Sequence, residues 1–404
     1  MKILIVSQFF WPENFRINDL AEELSIRGHE VTVLTGIPNY PQGIWFEGYS
    51  FFSAGRDKKE NIKLIRVPVI PRFSGRKWQL AINYISYVFS ASIYSLFYCR
   101  KKYDVIFTYA PSPLTVGLVS VFLNKFIRIP HVLWVQDLWP EVFYAVEAPK
   151  VKIFYYLVNK MMNLIYRNTN LILVQSTNFI TSIVEKGIPE SKVIYFPNWA
   201  EDLFKKNIPE KGLLELDISE GNFVAMFAGN IGAAQSIDTI VSAAELTKNK
   251  PISWVFLGDG RKKEWLESEV DRLNLRDKVH ILGNKPVEQM PNYFASADVL
   301  LVTLQAHPVM SAWIPGKVQS YLASGKPIIG ALDGAGADVI NQSKCGFAVP
   351  AGDFNGLAEK VTELSNLPIE DKNKMGANAL DFYNREFNRD SLITKLEEYF
   401  VKIT

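Results

Sequence analysis

Residues 297–332 read ADVLLVTLQAHPVMSAWIPGKVQSYLASGKPIIGAL. Two unbroken apolar runs, ADVLLVTL and PIIGAL, bracket a short helical pattern that Pro315 and Gly316 open and Gly325 closes. Apolar runs this short and this rich in Val, Ile and Leu fit strands buried on both faces. Strand, crossover helix and strand make a parallel βαβ unit. Lys317 stands at the mouth of the helix. A helix N-terminus presents unpaired N–H groups and partial positive charge, so a lysine there suits phosphate. Most lysines are solvated surface residues, and the rest of the chain has to decide.

The same alternation runs outward in both directions. In the second half FVAMFAGN, ISWVFLGDG, VHILGN and CGFAVP read as further strands, and IDTIVSAAELTK, KKEWLESEVDRL and EQMPNYFASA as helices. The first half carries KILIVSQ, EVTVLTG, IKLIRVPV, YDVIFTY, HVLWVQD, LILVQS and VIYFP as strands. Between the first two, the period places Ile17, Leu20, Leu24 and Ile26 on an inward face, and Gly28 ends the helix. The charged stretch near 199–221 has little periodicity and marks a joint. The fold class is α/β, with two doubly wound Rossmann-like domains facing a central cleft. The boundaries read as 1–200, 201–384, and a long amphipathic helix over 385–404 crossing back to the first domain. Ligands in this class bind at the carboxyl ends of parallel strands.

The totals narrow the function. The 404 residues are 48% hydrophobic, enough for two cores. Cys99 and Cys345 offer no disulfide framework and no metal spacing. MKILIVSQFFWPE lacks a cleavage pattern and reads as a first strand, so a cytoplasmic location is the default. Net charge is +2, yet residues 1–200 hold 22 Lys and Arg against 14 Asp and Glu, and the remainder hold 22 against 28. The basic half implies an anionic neighbour. From Trp78 to Cys99 there is no charge, with Arg72, Arg76 and Lys77 before and Arg100, Lys101 and Lys102 after. Gln79, Asn83 and the need for a sheet-covering helix argue against a span and for interfacial contact. KVKIFYYLVNKMMNLIYRN, 150–168, repeats the mixture of cations and large apolar residues. No helix-turn-helix or repeat pattern supports nucleic acid.

Several strand ends carry loops with polar chemistry. FAGNIGAAQS (227–236) holds Gly229, Asn230 and Gly232, and FLGDGR (256–261) holds Asp259 and Gly260. VQDLWPE (135–141) places Asp137 and Glu141 at a strand end, where Asp137 also suits a helix cap. FWPENFRIND (10–19) supplies Arg16 and Asn18, and GIPNYPQG (36–43) supplies Asn39 and Tyr40. Each signal is weak alone.

Their order, with FPNWAE at 196–201, resembles the retaining nucleotide-sugar glycosyltransferases of family 4, of GT-B fold. Within it the likeness is to bacterial enzymes building colanic acid, capsule and O-antigen, including N-acetyl-L-fucosamine transferases. The resemblance implies a UDP-sugar donor with no metal cofactor. It also implies a polyprenyl-diphosphate-linked saccharide acceptor and a peripheral place on the cytoplasmic face of the inner membrane. It assigns the donor to Gly229, Asn230, Gly232, Asp259, Gly260, Ser311, Pro315, Gly316, Lys317 and Ser320. His307, Ser311 and Trp313 lie in the loop before the helix, where they either read the sugar hydroxyls or simply pack the loop. It gives catalysis to Asp137 and Lys317, and the acceptor side to Arg16, Asn18, Asn39, Tyr40 and Glu141. Two glutamates frequent in the family fall on Ala312 and Ser320, and Asn230 takes the place of an arginine. Those losses keep two rivals open: a weakly catalytic nucleotide-binding scaffold, and a nucleotide-sugar epimerase of the same fold.

Overall fold

The computed structural model describes residues 1–99, 102–145, 151–204, 218 and 221–404. It divides into two compact units, Met1–Phe196 with Asp390–Thr404, and Pro197–Arg389. Most of the 199–221 stretch read as a joint lies outside the described residues, as do Arg100, Lys101 and Lys150.

The first unit holds strands β1 (Lys2–Val6), β2 (Glu30–Gly36), β3 (Gly55–Lys59), β4 (Ile62–Val67), β5 (Val105–Ala110), β6 (His131–Val135), β7 (Leu171–Val174) and β8 (Val193–Tyr195). Their order is β3-β4-β2-β1-β5-β6-β7-β8. All neighbours run parallel except β3, which pairs antiparallel with β4 at the edge. The sequence reading missed β3, because GRDKK has no apolar alternation to reveal it. Edge strands carry such charges because one rim stays in water.

Helices α1 (Arg16–Ile26), α2 (Lys77–Tyr98), α3 (Val116–Ile127), α4 (Val142–Ala145), α5 (Lys152–Arg167) and α6 (Thr177–Val184) fill the crossovers. On α1 the buried set is Ile17, Leu20, Ala21 and Leu24, while Ile26 is 78% exposed. The inward assignment of Ile26 is therefore corrected: two residues beyond Leu24 is 200° around the helix, on the opposite side. Gly28 (φ +89°) donates to Ser25 O and His29 to Leu24 O, closing the helix.

The second unit holds β9 (Phe223–Ala228), β10 (Ile252–Leu257), β11 (Val279–Gly283), β12 (Val299–Thr303), β13 (Ile328–Ala331) and β14 (Gly346–Val349), ordered β11-β10-β9-β12-β13-β14 and all parallel. Its helices are α7 (Ile237–Leu246), α8 (Lys263–Arg272), α9 (Met290–Ser296), α10 (Gly316–Ala323), α11 (Ala335–Ser343), α12 (Phe354–Asn366) and α13 (Ile369–Glu386). Phe227, Trp254, Phe256, Leu301 and Leu357 are all fully buried in one core. The Trp254 indole N–H still finds Thr247 Oγ1 at 3.1 Å, so the burial of this ring leaves its donor satisfied.

The C-terminal segment is not the single helix expected over 385–404. Its first residues finish α13, and α14 spans Arg389–Ile403. The break falls at Phe387, fully buried with its N–H still bonded to Tyr383 O, where the backbone leaves helical geometry. From Asp390 the chain belongs to the first unit. There Phe400 meets the edge of Phe107 (5.9 Å between centroids), and Glu397 accepts from Arg27 Nη1 at 2.9 Å.

Candidate functional site

Strand order points to where each sheet opens. In the first unit the chain winds outward from β1 to β2 and β4, then returns to the other side of β1 with β5. In the second it winds from β9 to β10 and β11, then returns beside β9 with β12. Crevices form at such reversals, at the carboxyl ends of the flanking strands.

In the second unit, Gly229, Asn230 and Gly232 follow β9, and the loop carrying His307, Ser311 and Trp313 follows β12 and leads into α10. Tyr321 of α10 clamps the helix to β9: its hydroxyl accepts from Ala228 N and donates to Ala228 O, both at 3.0 Å. This fixes Lys317, the second residue of α10, beside the glycine turn. Lys317 Nζ donates to Gln235 Oε1 at 2.8 Å and lies 3.7 Å from the centroid of the Phe227 ring. A Cβ on Gly229 (φ +137°) would stand 3.2 Å from the same Nζ. Burial pushes the ammonium down from 10.5 to about 7. Burial disfavours the charged form, and an amide oxygen is only a neutral partner. A lysine held this way gains from an arriving anion.

The turn itself is braced. Thr303 donates to Gln235 O, and Gln305 N to Ala234 O at 3.0 Å. Ile231 N donates to Asp259 O at 2.8 Å, joining the turn after β9 to the turn after β10. The two turns touch so closely that a Cβ on Gly258 would lie 1.9 Å from Gly229 O, and one on Gly260 2.3 Å from Ile231 O. Beside them is a cavity of about 380 Å³ lined by Gly229, Asn230, Asp259, Asn284, Lys285 and Met290, among others. The structure thus gathers Gly229, Asn230, Gly232, Asp259, Gly260 and Lys317. Asp259 turns its own Oδ1 onto Gly260 N at 2.6 Å.

Ser311, Pro315, Gly316 and Ser320 have separate surroundings. The Ser311 hydroxyl donates to Pro308 O at 2.7 Å, and a Cβ on Gly334 would lie 2.1 Å from Ser311 O, so this loop packs on the start of α11. Pro315 caps α10, Gly316 opens it with clear space where a Cβ would point, and Ser320 sits one turn further on, half-buried. Gln235, part of the GNIG stretch on which the resemblance rests, becomes the partner of Lys317. Sequence reasoning did not place Lys285 in the site; it stands two residues past β11, which was the available signal.

In the first unit the loops after β1 and β2 are organised by a residue the reading overlooked. Glu13 is 1% exposed. Its Oε1 accepts from Asn39 N and Tyr40 N at 2.8 Å each, and its Oε2 from Phe10 N at 3.2 Å. Burial raises its carboxyl to about 7, against these three bonds and the Arg66 guanidinium. Asn18 and Asn39 are braces as well. Asn18 Nδ2 donates to Glu13 O (2.6 Å) while its Oδ1 accepts from Trp11 N (3.0 Å). Buried Asn39 donates to Ile37 O at 3.0 Å and accepts from Asn83 at 3.2 Å. Their polar atoms hold the two loops in place. Tyr40 remains half-buried on Phe9 and Phe15, with the Arg72 guanidinium 4.3 Å from its centroid.

Asp137 sits just past β6 and accepts from both the N–H and the hydroxyl of Ser112, after β5. Burial raises its carboxyl, and the Ser112 bonds oppose that rise. It does not cap α4, which starts five residues later. Trp139 Nε1 donates to Ser112 Oγ at 2.9 Å, completing a relay. Buried Tyr109 feels both Arg16 and Asp137, which puts all three at this edge. Glu141 pairs with Lys186, two residues past the end of α6.

Residues 214–382 match the family model "Glycosyl transferases group 1", and residues 14–199 match "Glycosyl transferase 4-like domain". The chain is built of glycosyltransferase domains. It is 27% identical over 301 residues to the probable glycosyltransferase WbjE of Pseudomonas aeruginosa, covering 72% of each chain. It is 25% identical over 341 residues to the putative colanic acid biosynthesis glycosyl transferase WcaI of Escherichia coli, covering 80% of this chain and 82% of that one. Among solved structures, Anabaena Alr3699/HepE in complex with UDP superposes with a TM-score of 0.70 at 14% identity, over 100% of both chains. That likeness establishes the GT-B fold of this glycosyltransferase.

Proposed function

We propose that this glycosyltransferase moves a sugar from a UDP-sugar to a polyprenyl-diphosphate-linked saccharide during surface polysaccharide synthesis, with retention at the anomeric carbon. The observation that carries the reading is Lys317, half-buried at the mouth of α10 against Gly229, with Gln235 as its hydrogen-bond partner. Lys317 and the first N–H groups of α10 take the diphosphate, and the close-packed glycine turns let it approach backbone. The cavity beside Asp259 and Lys285 takes the nucleoside. Relatives named for polysaccharide assembly and a same-fold neighbour solved with UDP support donor class and pathway. An amino- or deoxy-hexose such as N-acetyl-L-fucosamine is the donor sugar to try first.

The chemistry follows from charge. As the bond from the anomeric carbon to the diphosphate breaks, the leaving oxygen gains negative charge, and fixed cationic groups stabilise it. The acceptor hydroxyl attacks on the same face and passes its proton to that leaving oxygen. Asp137, held by Ser112 near Arg16 and Tyr109, serves the acceptor side. The test is a thermal-shift screen with UDP, GDP, dTDP, ADP and CMP on wild type and Lys317→Ala, followed by transfer assays. UDP alone should stabilise the wild type, by mass action, and the variant should lose that stabilisation with about 100-fold or more of its activity. Stabilisation by no nucleotide would replace this reading with the scaffold one, given Ala312 and Ser320 where the family has glutamates. A product with inverted configuration would sink the retaining step.

A further inference from the structure

In α2 the usual sidedness of a helix on a soluble protein is reversed. The residues facing the core are Asn83, Tyr87, Ala91 and Ser95. The residues facing out are Trp78, Ile82, Ile85, Phe89, Ile93 and Phe97, and Ile85, Phe89 and Phe97 are 66%, 68% and 65% exposed. Their spacing of four, three, four, four and four keeps them on one stripe opposite the polar face. α2 packs on α3, and α3 on α5, so the three helices form one layer. Exposed apolar residues recur on the neighbouring helices, at Phe126 of α3 and at Ile153, Tyr156, Leu157 and Leu164 of α5. A stripe of large apolar side chains exposed in this way marks an interaction site.

Charge identifies the occupant. From Asn61 to Tyr103 the chain has no Asp or Glu, and none from Ala148 to Val184. Within those segments Arg76 and Lys77 lie exposed at the start of α2, and Lys152, Lys160 and Arg167 punctuate α5. An apolar stripe bordered by cations and free of acids complements an anionic lipid surface.

By length and composition α2 is the described helix able to cross a membrane. Its inner face argues otherwise. Gln8 Nε2 donates to Asn83 Oδ1 at 2.8 Å, Asn83 Nδ2 donates to Ile70 O at 2.7 Å, Tyr87 donates to Leu34 O at 3.1 Å, and Ser90 to Pro68 O at 2.6 Å. A spanning α2 would break every one of these bonds and carry the freed groups into hydrocarbon, where each is costly.

We infer that the α2–α3–α5 face docks in the plane of an anionic bilayer, with the α2 stripe entering the headgroup–acyl boundary while α2 stays bonded to its own sheet. The inference rests on the proposed lipid-linked acceptor only for its purpose. Asn83, on the inner face of the docked helix, bonds Asn39 in the loop that carries Tyr40, so the helix that meets lipid also supports the acceptor-side loop.

The test is co-sedimentation of the full chain, without nucleotide or acceptor, with vesicles of phosphatidylcholine alone or mixed with phosphatidylglycerol. Wild type should partition onto the anionic vesicles and be released by salt. Ile85→Ser with Phe89→Ser should weaken that partition about tenfold or more, and Arg76→Gln with Lys77→Gln about tenfold on anionic vesicles only. Both variants should keep the wild-type thermal midpoint and transfer to a short water-soluble acceptor. Equal behaviour of wild type and the serine variant on vesicles would overturn the proposal. So would a stable dimer dispersed by the serine substitutions with no vesicle binding, which makes a second copy the occupant. Protein that resists salt and carbonate and yields only to detergent would overturn the in-plane arrangement. Vesicle binding without sugar transfer would leave this inference standing and remove the functional reading instead.

Discussion

The two sheet edges solve opposite electrostatic problems. In the second unit the edge past β9 and β12 keeps a cation, Lys317, bonded to a neutral amide and backed by an aromatic ring. In the first, the edge past β1 and β2 is built around a carboxyl, Glu13, whose oxygens are all but sealed by backbone N–H groups. Burial brings both groups to about 7, so at neutral pH each is poised between its charged and neutral forms. The contrast separates a site waiting for charge from a scaffold that has already consumed its own. Asn18 and Asn39 belong to the scaffold for the same reason: their amides are occupied internally.

The sharpest way to break the comparison is to remove Glu13. Glu13→Ala leaves three N–H groups without their acceptor, each worth about 1–3 kcal/mol when buried and unsatisfied, so urea unfolding at neutral pH should show a loss of about 3 kcal/mol or more. Glu13→Gln keeps a carbonyl oxygen for Asn39 and Tyr40 and discards the buried charge, so its loss should be far smaller. Equal losses would mean that charge, not hydrogen bonding, makes the scaffold. The sign of the pH dependence is fixed by the raised carboxyl. The native state binds this proton more tightly than the unfolded chain, so the contribution of Glu13 is whole below pH 4.5 and is lost as pH rises through about 7. The Gln variant should flatten that part of the stability profile.

A smaller effect probes the glycine turns. Gly258→Ala places a Cβ 1.9 Å from Gly229 O at a φ of +143°, so the two turns must part. Backbone strain of this kind costs about 1–3 kcal/mol, and UDP affinity by calorimetry should fall about tenfold. Gly316→Ala meets nothing within 4 Å and serves as the contrast: its midpoint should hold or rise slightly. If UDP binding survives Gly258→Ala intact, the nucleotide does not use these turns.

The smallest expected effect is the pH dependence of nucleotide binding. Lys317, brought down to about 7 by burial, must be protonated to meet a diphosphate. Binding at pH 7.5 should therefore take up a fraction of a proton, visible as a calorimetric enthalpy that varies with buffer ionisation. Affinity should fall less than tenfold per pH unit above 7. Lys317→Arg, which stays charged, should remove the dependence.

Sequence alone determined the alternation of strands and helices, because buried parallel strands are continuous apolar runs and crossover helices keep a 3.6-residue period. It also located the glycine turns and Lys317, since strand ends and helix mouths are visible as punctuation. It could not reveal β3, whose charges make sense only beside β4, nor the end of α13 at Phe387. The role of Glu13 depended on two loops meeting 26 residues apart in sequence. The reversal of α2 was equally hidden. Its composition was plain, but which face meets the sheet was decided by Asn83, Tyr87 and Ser90 finding partners on other strands and loops. Periodicity records that a helix has two faces. Only the hydrogen bonds available in the assembled fold determine which one is turned inward.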